Sequence, residues 1–275
     1  GNTVIVTSFN NTPDMQKGWL EGRRKHGDNG AISGLIEAYL KTCQNDVCEK
    51  YLGSTYKIST DGGYTFGEMK RSPVTSPHGP FVDNNGGLIW VGRVFAESEA
   101  DNLSAVALAK YEDGEFRIKT RLAPCKDEYG EGLSCEPHAI MYPNGDILVA
   151  IRVQRGGEHP LFTVYTSRST DGGKSFTVPK KILPDNAGSP PHLLITSKGE
   201  TILSYACRKD NCGIRARIST DNGFTFGEEI KLTEHALNGD LGYPATIELS
   251  DGTFLTVWYE NEGKSSVIKE IKWII

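Results

Sequence analysis

Most of the chain is written in short segments that alternate apolar and polar positions or run apolar for a few residues between turn signals. Ile214-Arg-Ala-Arg-Ile218 is apolar at every second position, and runs such as Gly145–Ile151 and Ala245–Leu249 are bounded by Gly, Asp, Ser or Pro. A period of two puts successive side chains on opposite faces of an extended backbone, so these segments predict strands joined by tight turns. Helical spacing is confined to the neighbourhood of Gly34–Lys41.

Two motifs recur and set the architecture. Ser59-Thr60-Asp61-Gly62-Gly63-Tyr64-Thr65-Phe66 returns as Ser169-Thr170-Asp171-Gly172-Gly173-Lys174-Ser175-Phe176 and as Ser219-Thr220-Asp221-Asn222-Gly223-Phe224-Thr225-Phe226. A worn copy, Tyr111-Glu-Asp-Gly-Glu-Phe116, stands in the gap between the first and second. Each follows an alternating segment and reads as a hairpin turn: the Asp accepts backbone N–H groups, the Gly residues reach positive φ and the Phe packs beneath. Interleaved with these are Pro77-His-Gly-Pro80 before Gly86–Arg93, Glu136-Pro-His138 before Asn144–Arg152, Pro190-Pro-His192 before Lys198–Arg208, and Asp240-Leu-Gly-Tyr-Pro244 before Asp251–Trp258. Each unit of about 50 residues supplies a strand, a Gly turn, a second apolar strand and a third strand running into the Asp turn. Five such signals predict an all-β chain whose sheets pack radially as a β-propeller, one domain over residues 1–275.

Composition narrows the partners. With 30 Lys+Arg against 35 Asp+Glu, a net charge of −5 and no basic run beyond Arg23-Arg24-Lys25, the 275-residue chain is not built to neutralise phosphates, so nucleic acid is excluded as a partner. No apolar stretch approaches the roughly 20 residues of a membrane-spanning helix. The six cysteines form the local pairs Cys43/Cys48, Cys125/Cys135 and Cys207/Cys212. A disulfide across the 207–212 hairpin fits this spacing, with buried free thiols as the alternative. The disulfide reading points to a secreted or periplasmic protein whose leader has been removed, the chain opening without Met. Neither C-x₂-C spacing nor another ligand pattern implies a structural metal or a cofactor.

The S-x-D-x-G-x-T-F turns resemble the Asp-boxes of the sialidase (neuraminidase) superfamily of β-propeller glycosidases, and the resemblance spans nearly the whole chain. It implies six blades, against the five signals visible, and a site on the inner strands rather than at Asp61, Asp171 or Asp221. The segment Glu21-Gly-Arg-Arg-Lys-His-Gly-Asp28 is similar to the one that supplies the sialidase acid/base, which implies that role for Asp28. Glu136 resembles the Glu that pairs with the nucleophilic Tyr, and Tyr243 resembles that Tyr; a phenol of ordinary pKa near 10 needs such a base to attack at neutral pH. Arg152 and Arg208 look like members of the arginine triad that grips a substrate carboxylate, with Arg93 in the comparable place one repeat earlier and Arg215 and Arg217 as near alternatives. The triad's first-strand arginine has no counterpart in Thr3–Ser8. His78, His138 and His192, at equivalent inner-strand positions, and Asp240 complete the substrate-binding set; metal binding by the histidines is the minor option.

The implied function is exo-acting hydrolysis of a terminal, acidic, sialic-acid-like sugar from a glycan. A lyase or inverting hydrolase using the histidines and Glu136, and a propeller that binds glycans without turnover, are the alternatives.

Overall fold

The computed structural model describes residues 2–11, 13–25, 30–42, 52–94, 105–185, 190–263 and 265–275. It divides into two compact units, Gly1–Pro73 and Val74–Ile275.

The first unit holds β1 (Val4–Asn10), α1 (Pro13–Lys25), α2 (Ala31–Thr42), β2 (Gly53–Ser59) and β3 (Lys70–Arg71), with the strands in one antiparallel sheet of order β1-β2-β3. α2 falls where helical spacing was read, around Gly34–Lys41, while α1 corrects the otherwise helix-free reading. α1 hides in the sequence because Gly18 and Gly22 interrupt it and its buried stripe is narrow, with Leu20 as its only fully buried apolar side chain among the described residues. Pro13 suits the first helical position and Arg23, Arg24 and Lys25 suit the last turn, where the exposed carbonyls carry partial negative charge. Glu21–Lys25, the start of the segment likened above to the acid/base segment, therefore belongs to α1. α2 buries Ser33 and half-buries Ile36, Glu37 and Leu40, the i, i+3, i+4, i+7 stripe of a surface helix. Arg24 of α1 bonds Glu37 of α2 at 2.8 Å.

The second unit contains four blade sheets. β4 (Val74–Thr75), β5 (Phe81–Val82), β6 (Leu88–Val94), β7 (Val106–Glu112) and β8 (Glu115–Arg121) make the first. After a short ribbon of β9 (Lys126–Asp127) and β10 (Gly130–Glu131) come β11 (Leu133–Met141), β12 (Ile147–Arg155), β13 (Leu161–Ser169) and β14 (Lys180–Lys181). β15 (His192–Ile195), β16 (Thr201–Cys207), β17 (Gly213–Ser219) and β18 (Ile230–Lys231) form the third, and β19 (Leu241–Glu248), β20 (Phe254–Asn261) and β21 (Ser266–Trp273) the fourth. The first unit adds one three-stranded antiparallel sheet, so the described residues hold five sheets of three or more strands, the number of repeat signals rather than the six of the resemblance. The fold is a nearly all-β propeller.

β12 shows why its sequence is a continuous apolar run. Ile147, Val149, Ile151 and Val153 pack with Ile89, Val91 and Leu108 of the preceding blade, while Leu148 and Ala150 pack with Leu193, Leu203 and Tyr205 of the following one. A strand sandwiched between blades must be apolar on both faces, whereas β21 alternates between half-buried and exposed.

The Asp turns are built alike. Asp171 Oδ1 accepts the Lys174 and Ser175 N–H groups at 2.9 Å, Oδ2 accepts the Ser175 hydroxyl at 2.6 Å, and Ser169 Oγ accepts the Gly173 N–H at 2.8 Å. These bonds hold the Asp171 carboxyl well below the usual carboxylate range. Neighbouring blades read the turns: Thr120 Oγ1 donates to the Gly173 carbonyl at 2.6 Å, and Arg168 donates to the Asn222 carbonyl while its guanidinium lies 4.1 Å over the Phe224 ring. Gly173 has φ of +87°, and a Cβ there would stand 2.7 Å from Leu108 Cδ1.

Cys125, Cys135, Cys207 and Cys212 are free thiols, so the hairpin disulfide is not formed; Cys207 Sγ instead lies 2.9 Å from the Lys209 carbonyl. Cys43 and Cys48 lie outside the described residues. No helix among the described residues is long and apolar enough to cross a membrane.

Candidate active site

Two inner strands lose their regular pairing at matching places. The β11–β12 register shifts between Cys135 and His138, and the β19–β20 register shifts between Gly242 and Ala245. At each bulge a non-glycine residue followed by proline takes a left-handed conformation: Glu136 at φ 48° and Tyr243 at φ 56°. Such a backbone costs about 1–2 kcal/mol in an L-residue and persists where surrounding structure enforces it, often at functional sites. Here the strain re-aims two side chains towards each other. The Tyr243 hydroxyl donates to Glu136 Oε1, and Arg152 Nη1 donates to Glu136 Oε2.

Arg152 is held in turn. Its Nη2 donates to Gln154 Oε1 at 2.6 Å and its guanidinium lies 5.2 Å from the centre of the Phe162 ring. Gln154 follows Arg152 by two positions and so shares its face of β12, a signal available from strand periodicity but unused above. Burial pushes the Tyr243 phenol up, and the Glu136 charge and hydrogen bond push it further, against Arg152 and Arg208. The phenol is therefore protonated at neutral pH and already in contact with the group that can receive its proton.

A second phenol–carboxylate pair stands beside the first. Tyr259 donates to Asp240 Oδ1 at 2.8 Å, and its ring centre is 5.8 Å from that of Tyr243. Tyr259 was not singled out in the sequence, where it sits between Trp258 and Glu260 as an ordinary strand residue. Arg208 is anchored through Nε to the Leu241 carbonyl at 2.8 Å, and its charge lowers both phenols. Arg93, on β6, acts on the Cys135 thiol beside Glu136. The near alternatives Arg215 and Arg217 are committed to structure, Arg215 being buried against Glu229, Thr233 and Asn211, and Arg217 bonding Gly227 and Tyr205. Asp28 lies outside the described residues.

His78, His138 and His192 converge, with ring centres 4.5, 5.3 and 4.5 Å apart. Burial keeps all three neutral, drawing His78 down to about 4, His192 to about 3 and His138 well below its ordinary value. One ring nitrogen from each lies within 4.8 Å of the others, the spacing of a metal cluster. The hydrogen bonds argue against that use. His138 Nδ1 accepts the Leu193 N–H at 2.8 Å and His192 Nδ1 accepts the Thr246 N–H at 3.4 Å, so in both rings the proton sits on Nε2. His78 bonds the backbone of Pro191, which has only a carbonyl to offer, and its buried Nε2 keeps a lone pair with no protein partner. Two N–H donors and one lone pair suit a hydroxyl or a water rather than a cation.

The bladed sheets and their Asp turns define an Asp-box β-propeller with a tyrosine–carboxylate–arginine cluster on its inner strands. The chain belongs to the BNR repeat-like domain family, whose profile matches residues 29–256. A search of curated proteins returns no match. Among solved structures it is similar to a protein of unknown function from Dyadobacter fermentans, at 27% identity and a TM-score of 0.68, covering 82% of this chain and 65% of that one. It is also similar to an α-L-arabinanase from Penicillium chrysogenum, at 15% identity, TM-score 0.56, covering 73% and 65%. A third is the intramolecular trans-sialidase from Ruminococcus gnavus, at 16% identity, TM-score 0.52, covering 81% and 50%. The chain thus spans less than two thirds of the length of each of these proteins.

Proposed function

We propose that this protein hydrolyses a glycosidic bond with Tyr243 as nucleophile and Glu136 as its base. The carrying observation is the shared hydrogen bond between these residues, each displaced from its strand by its own bulge. As Tyr243 Oη attacks the anomeric carbon, Glu136 takes the phenolic proton, and the leaving oxygen receives a proton from an acid, the role carried to Asp28; water then releases the sugar by the reverse exchange. The enzymes named among the similar structures act on glycosides, which supports the reaction class. An acidic terminal sugar is supported by the positive charge of Arg208 and Arg93 near the pair. Arg152 takes a different part from the one expected: its hydrogen bond to Glu136 Oε2 fixes the position of the base, and so it is a positioning residue.

The test is a panel of fluorogenic sialosides, arabinofuranosides, xylosides and glucuronides. Tyr243→Phe and Glu136→Gln each lower kcat by at least about a hundredfold on whichever glycoside the unaltered chain cleaves. Full activity in both variants overturns the mechanism.

A further inference from the structure

The end of the blade that carries Glu136 and Arg152 extends into two short loops tied together by one arginine. The β9–β10 ribbon leads directly into β11, and residues 156–160 lead directly out of β12. Cys135 pairs with Arg152, Ser134 with Val153 and Leu133 with Gln154, so both loops leave from the site end of the same strand pair. Arg155 stands three positions beyond Arg152, roughly 10 Å at strand rise.

Arg155 donates to both oxygens of Asp127 at 2.9 and 2.7 Å, to the Gly130 carbonyl at 3.0 Å and to the His159 carbonyl at 2.9 Å. The ion pair is largely buried, at 17% and 10% exposure, although the loops it joins are at the surface. Asp127 also accepts the Tyr129 N–H at 2.9 Å. This bracing holds the Tyr129 and His159 rings face to face, 4.0 Å between centres and 12° from parallel, with Tyr129 still 56% exposed. The four-bond arginine thus fixes an aromatic ring with one face backed and the rest open to water.

From this geometry we infer that Tyr129, backed by His159, is a stacking platform for a sugar ring of the substrate chain, a binding subsite distal to the one that holds the cleaved sugar. The aliphatic C–H face of a pyranose or furanose matches an exposed aromatic face, and a ring already immobilised loses little further entropy on binding. The roughly 10 Å of β12 between Arg152 and the brace at Arg155 exceeds the span of one sugar ring, so the ligand that fits this geometry is an oligosaccharide. This subsite rests on the glycosidase reading above.

The experiment uses the full chain with Glu136→Gln to stop turnover, and isothermal titration with short and long members of arabino-, xylo- and sialyl-oligosaccharide series. Tyr129→Ala weakens the long oligosaccharide roughly tenfold and leaves the affinity of the short one, and the aryl-glycoside kcat/KM of the otherwise unaltered enzyme, unchanged. Tyr129→Phe, which keeps the stack, retains long-chain affinity and guards against misfolding as the cause. An unchanged long-chain affinity in Tyr129→Ala, or equal losses for long and short, overturns the subsite while leaving the glycosidase intact. If the unaltered chain neither binds nor cleaves any of the glycans, the reading of the active site fails first and the subsite with it.

Discussion

Acidification tests the histidine cluster directly. Unfolded histidines titrate near 6.5, whereas burial draws folded His78 down to about 4. Between those values the unfolded chain takes up a proton that the folded chain refuses. The stabilisation is therefore complete above about pH 7 and is lost progressively as pH falls towards 4. At about 1.4 kcal/mol per pKa unit, His78 alone withdraws about 3 kcal/mol by pH 4. His192 and His138 act in the same direction, but the rings repel one another's charge and titrate as a group, so three times that figure is an upper bound. The Asp-box carboxylates, lowered from 3.8, withdraw their stabilisation only below about pH 4, which separates the two windows. Urea unfolding followed by tryptophan fluorescence between about pH 7 and pH 4.5 reads the slope. His78→Gln, which cannot ionise, flattens it by about one proton, or about 1.4 kcal/mol per pH unit. Superimposable slopes for His78→Gln and the unaltered chain would refute the assignment.

Other changes follow from the same contacts. Arg168→Ala removes a buried cation from between Tyr142 and Phe224 and from the Asn222 carbonyl, and lowers unfolding free energy by about 2–4 kcal/mol; a urea midpoint within error of the parent contradicts it. Gly173→Ala sets a Cβ against Leu108 at positive φ and destabilises by about 1–3 kcal/mol, read as a fall in Tm. Arg152→Met removes the donor that holds the Glu136 carboxylate beside Tyr243, so kcat falls about tenfold or more on whichever glycoside is cleaved; an unchanged kcat contradicts the positioning role.

Much of the propeller was legible because it is made of repeats: the Asp turns, the Gly turns and the doubly apolar middle strands are local patterns that recur. The pairing of Glu136 with Tyr243 was legible only through resemblance, since 107 residues separate them and nothing in either segment alone reports the other. Helix α1 was lost because its two glycines and single buried leucine give almost no periodic signal. Tyr259 was lost because a polar residue on a strand identifies its face but not its partner, here Asp240, whereas Gln154 was within reach of strand periodicity, two positions from Arg152 on the same face. The bond from Arg152 to Glu136 was not legible, because the sequence does not show that Glu136 turns back towards β12.

The Asp-box turns of Val74–Ile275 also act as couplers. Because Thr120 grips the turn at Gly173, and Arg168 the turn at Asn222, each of these sheets finishes its own hydrogen bonding only when the next one is in place. Loss of order in one sheet strips polar partners from its neighbour, so damage spreads along the series instead of staying local. Such a body should melt as a single cooperative event, and a tolerant surface loop would be a safer point for inserting foreign sequence than any of these corners.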